Sequence, residues 1–119
     1  MKNGFICLAF TLLLAAGTTY ATPADGGKLS TRATELTRRM AERTKLSEGQ
    51  YVKVRQLNLR LLTEMAEARK QFASDAAGLD KTLADVQMRY EWDLASILWP
   101  KQLAAYDDIK QNFTATNLR

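Results

Sequence analysis

The sequence contains no histidine, only two prolines, and a single cysteine, Cys7, near its start. Without histidine the usual acid–base residue of enzymes is missing, and so are the borderline and soft metal ligands. The carboxylate pairs Glu64/Glu67, Glu91/Asp93 and Asp107/Asp108 do not combine with a nucleophile and base, and no loop offers the six or more oxygens that calcium takes. The residues therefore predict no enzyme, no metal site and no cofactor. No stretch alternates apolar and polar residues with a period of two, so no strand is predicted.

Long hydrophobic runs are also scarce. The one such run, Phe5 to Ala16, follows Lys2 and precedes small residues at Thr19 and Ala21. It is about a dozen residues long, short of the ~20 that span a bilayer. Residues 1–21 read as a signal peptide cleaved after Ala21, which implies export to an oxidising compartment without stable membrane insertion. Cys7 lies too early for a lipid-attachment cysteine and leaves with the peptide, so the mature domain must fold without disulfides.

What remains is charged unevenly. The chain carries 17 Lys and Arg against 13 Asp and Glu. Between Lys28 and Arg60 the only acidic residues are Glu35, Glu42 and Glu48, whereas from Leu61 onward acids slightly outnumber bases. An exported protein rarely meets nucleic acid, so the basic half points instead to anionic surfaces or acidic unfolded chains.

Residues 22–29 (TPADGGKL) read as a flexible lead-in, residues 30–113 as one helical domain, and 114–119 as a frayed tail. Four helices are expected. The first starts near Ser30 or Thr31, with Ala33, Leu36 and Met40 on one face and Arg32, Arg39 and Arg43 in a basic stripe. Glu35 can pair with Arg38 and Arg39. The second opens at Ser47, whose side chain and that of Gln50 form a capping box. Its apolar face is Tyr51, Val54, Leu57, Leu61, Met65, Ala68 and Phe72, with Gly78 as the left-handed residue that ends it. The third is capped by Asp80 and buries Leu83, Val86, Tyr90, Leu94 and Ile97. The fourth begins at Pro100, which suits a first helical position, and continues through Leu103, Tyr106, Ile109 and Phe113.

Leu-x-x-x-Gln occurs at Leu46–Gln50 and again at Leu98–Gln102, each at the start of a helix after a corner. With Leu46, Ser47 and Gln50, and with Leu98, Pro100 and Gln102, the chain resembles the Spy/CpxP family of small periplasmic proteins, known for a repeated L-T-x-x-Q motif. Trp99 departs from that pattern where threonine is usual. An indole cannot accept a hydrogen bond from a helix N–H, so the second capping box should be broken.

The resemblance implies an all-α fold of four helices forming a long bent helical hairpin, paired into a curved antiparallel homodimer. It also implies an ATP-independent periplasmic chaperone for unfolded or misfolded envelope proteins. The alternative is a regulatory partner of the periplasmic domain of an envelope-stress sensor kinase. Some relatives bind zinc through His-rich segments, which this chain lacks.

The residues add a candidate client surface. On a helical wheel with Tyr51 at zero, Val54, Leu57, Leu61, Met65 and Phe72 fall between roughly 240 and 320 degrees. Val52, Leu59, Leu62 and Ala66 fall between roughly 20 and 100 degrees, with Arg55 and Lys70 among them. Met88, Trp92 and Ala95 likewise lie opposite the apolar face of the third helix. Two apolar faces on each of two helices predict a homodimer, and Val52, Arg55, Leu59, Leu62, Arg39, Arg43 and Trp92 are the candidate client-binding residues.

Overall fold

The computed structural model describes residues 24–113, and all regular structure among them is helical. Four α-helices follow in order: α1 (Ala24–Thr44), α2 (Glu48–Gln71), α3 (Ala76–Ile97) and α4 (Pro100–Ile109), the last running into a 3-10 turn at Lys110–Phe113. The expected signal peptide with its cleavage point, and the expected frayed tail, lie outside the described residues.

The first helix starts at Ala24, not near Ser30, so residues 24–29 of the expected lead-in are helical. Gly26 and Gly27 each weaken a helix by roughly 1 kcal/mol, but tertiary contact offsets this. Leu29 is half-buried. Arg55 reaches across from α2, donating from Nη2 to Ser30 Oγ (3.0 Å) and from Nε to Thr34 Oγ1 (2.9 Å). Four threonines of α1 also donate to carbonyls one turn back, Thr37 to Ala33 at 2.6 Å and Thr44 to Met40 at 2.8 Å among them. Lys45 ends the helix in the left-handed region at φ 57°, a conformation that costs an ordinary residue roughly 1–2 kcal/mol.

The second corner also differs from expectation. The α2 helix stops at Gln71, and Gly78 is the third residue of α3 with no positive φ. Asp75, not Asp80, caps α3, its carboxylate accepting from Gly78 N–H at 3.0 Å. Glycine stands at 78 because a Cβ there would collide with that carboxylate and with the Phe72 ring. Close approach selects this glycine, and backbone handedness does not.

The core joins all four helices. Leu36 and Met40 of α1 meet Val54, Leu57, Leu61 and Met65 of α2, Val86, Tyr90 and Leu94 of α3, Leu98 of the corner, and Tyr106 of α4. Much of each expected apolar face meets there, with Leu83, Ile97 and Leu103 half-buried against the cluster and Tyr51, Phe72 and Ile109 half-buried. In α2, α1 lies along one side and α3 along the other, and α4 packs on α1. Ion pairs stitch α2 to α3: Arg60 to Asp93, and Arg89 to Glu64 at 3.2 Å. No helix among the described residues is long and apolar enough to cross a membrane.

Candidate functional site

The two glutamines of the repeated motif touch each other. Gln50 Nε2 donates to Gln102 Oε1 at 2.7 Å, and Gln102 Nε2 donates back to Gln50 Oε1 at 2.9 Å. Each oxygen also accepts the backbone N–H of its own N-cap residue, Ser47 for Gln50 and Trp99 for Gln102, both at 2.9 Å. Each amide nitrogen then reaches the opposite corner: Gln50 donates to Ile97 O (3.1 Å) and Gln102 to Lys45 O (3.0 Å). These carbonyls belong to the residues just before the two motif leucines, so the arrangement is pseudo-twofold. Both side chains are buried with their donors and acceptors satisfied. The motif occurs twice because each copy closes its own helix start and clasps the other.

The second capping box is half made. Trp99 offers no side-chain acceptor, as its chemistry requires, yet Trp99 N–H still donates to Gln102 and α4 still starts at Pro100. By contrast, the first box is complete, with Gln50 N–H donating to Ser47 Oγ at 3.3 Å.

A second polar unit lies in the core. Asn58 Nδ2 donates to Thr37 Oγ1 (2.9 Å), and Tyr90 O–H donates to Asn58 Oδ1 (2.6 Å), linking α1, α2 and α3. Asn58 and Thr37 are fully buried. Burial pushes the phenols of Tyr90 and Tyr106 well above their ordinary range, so both stay neutral and Tyr90 keeps its proton to donate. This network was legible as a lone Asn inside the apolar face of α2, and sequence reasoning passed over it.

Outside the core, four large hydrophobic side chains among the described residues stand in solvent: Val52 (56% exposed), Met88 (55%), Trp92 (77%) and Trp99 (63%). Met88 and Trp92 are one turn apart on α3, and with Arg60, Glu64, Arg89 and Asp93 they line a shallow depression of about 400 Å³. The two α2–α3 ion pairs thus border an apolar wall.

Residues 18–106 match the family described as "Domain of unknown function (DUF4890)". The chain belongs to the DUF4890 family. No curated protein matches it, and neither does any solved structure. The span matched to DUF4890 contains both clasp glutamines and the Met88–Trp92 wall. The resemblance to Spy/CpxP rests on the two motifs and the helix order, together with the chain's size, the leader-like start, the cysteine-free remainder and the basic first half.

The DUF4890 fold separates the residues that the helical wheel grouped. Leu62 is 3% exposed, one turn beyond Asn58 on the side of α2 that meets α1, so it is core and not client surface. Arg55 is half-buried and tied to two α1 hydroxyls. Two of its five N–H donors thereby link α2 to α1. Leu59 is half-buried. Arg39 is exposed but paired with Glu35 at 2.8 Å, and that hydrogen bond and charge lower the Glu35 pKa. Arg43, Val52 and Trp92 are exposed as expected. Of the motif residues, Leu98 is buried, Leu46 is half-buried against the core, and Pro100 is the first residue of α4.

Proposed function

We propose that this protein is a non-enzymatic, ATP-independent periplasmic chaperone that holds unfolding envelope proteins, acting as a curved homodimer. The observation that carries this reading is the Met88–Trp92 wall, two large apolar side chains in solvent beside Arg60 and Arg89. Apolar groups give affinity without direction, which suits clients of many sequences. Guanidinium groups at the edge attract acidic segments, and their ion pairs with Asp93 and Glu64 keep the surface soluble between clients. An indole left exposed to this degree forgoes burial worth a few kcal/mol, which binding a client recovers. Val52 and Trp99 are further contact points on other parts of the surface.

Light scattering of several unrelated aggregating clients, with and without the protein, tests the reading. Suppression of all of them at near-stoichiometric ratio is expected. Silence toward every client, alongside tight binding to one envelope sensor domain, would replace the chaperone by a regulatory partner.

A further inference from the structure

The first turns of α1 and the second half of α2 border a groove of about 520 Å³, within the ~300–1,000 Å³ typical of small-molecule sites. Its half-buried lining is mostly apolar, Leu29, Leu59 and Ala66 with Gly26, and the one half-buried hydroxyl, Thr63, donates to Leu59 O at 2.8 Å. Its exposed lining is charged, with Lys28, Arg32 and Lys70 against the single carboxylate of Glu67. Arg32 and Lys70 also carry interactions within the chain, and three of the four charged side chains that line the groove are cationic. A slot with an apolar interior and a cationic rim is complementary to a molecule with one acyl chain and an anionic head.

We propose that this groove binds one single-chain anionic amphiphile, taken up as a free molecule. The acyl chain lies along Leu29, Leu59 and Ala66, where it leaves water, and the head sits at the cationic rim. A bilayer surface fits less well. Membrane-surface helices push an apolar face into the lipid, whereas the apolar residues here are recessed between two helices. The groove is lined by α1 and α2 and shares no residue with the Met88–Trp92 depression, so the inference stands apart from the chaperone reading.

Isothermal titration with dodecanoate below its micelle-forming concentration tests it, with dodecyltrimethylammonium and acetate as controls. One-to-one binding of dodecanoate is expected, with the cationic amphiphile at least about tenfold weaker and acetate not bound. Ala66→Trp fills the groove and should abolish binding while circular dichroism shows the helices intact. Lys70→Glu, with helicity checked by circular dichroism, should weaken binding by about tenfold. Equal affinity for the two head charges, or unchanged affinity in Lys70→Glu, would overturn the proposal. So would sedimentation with phosphatidylglycerol vesicles when monomeric dodecanoate does not bind.

Discussion

Gln102→Ala probes the clasp, and its cost can be worked from the structure. The substitution removes both bonds between the glutamines, the acceptor for Trp99 N–H, and the donor to Lys45 O. Lys45 is exposed, so water replaces that donor at little cost. Gln50 is buried, and its orphaned amide should cost about 1–3 kcal/mol. The lost bond to Trp99 N–H adds roughly 0.5–1.5 kcal/mol, for a total of about 1.5–4.5 kcal/mol. In a domain of this size each kcal/mol moves the melting temperature by roughly 4–8 °C, so a fall of at least ~6 °C is expected by circular dichroism. Gln50→Ala should cost a similar amount. The two should not add: once one amide is gone, the other has already lost its partner. The double variant should be milder than the sum by about 1–2 kcal/mol, within the range seen for groups in contact. Costs additive to within ~0.5 kcal/mol would mean that the glutamines act as separate helix caps and that the clasp contributes nothing.

Trp99→Thr supplies the side-chain acceptor that the second capping box lacks, and should raise stability by about 0.5–2 kcal/mol in urea unfolding; a destabilised variant would show that the indole packs in a way its exposure does not suggest. Leu62→Ser should cost roughly 2–5 kcal/mol because the side chain is core, while Val52→Ser should change stability by no more than about 0.5 kcal/mol; similar melting curves for the two would refute the assignment of Leu62 to the α1–α2 interface. Alkali should unfold the protein through its buried phenols. Unfolded tyrosines release protons near pH ~10, whereas Tyr90 and Tyr106 hold theirs to higher pH in the fold. Above pH ~10 the unfolded state therefore binds fewer protons, and stability falls with rising pH by up to ~1.4 kcal/mol per unit for each phenol. Tyr106→Phe should flatten that slope with little change at pH ~7, and an unchanged slope would refute the argument.

Helix order and core faces were legible because apolar spacing is a local signal. Leu36 and Met40, Val54 through Met65, and Val86 through Leu94 read directly as buried stripes. The corners were less legible, since a glycine in sequence does not say whether it serves handedness or close approach, and Gly78 serves the second. The start of α1 was missed because two glycines argue against a helix locally, while the contacts with α2 that stabilise it are not local. The helical wheel misplaced Leu62 for a related reason. It separates faces of one helix but cannot say which face a neighbour covers, and α1 covers the one that carries Leu62. The clasp was half visible, as two helix-start devices. Their direct contact needs the fold to bring residues 50 and 102 together.

The proposed role of the Met88–Trp92 wall is to hold clients. Met88→Ser combined with Trp92→Ser tests it most directly, read as light scattering of an aggregating client together with the melting curve. Both side chains are exposed, so the melting temperature should stay within a few degrees of the parent, at about 0.5 kcal/mol or less per site. Protection should fall to the level of the client alone. A folded double variant that protects clients as well as the parent would contradict the assignment.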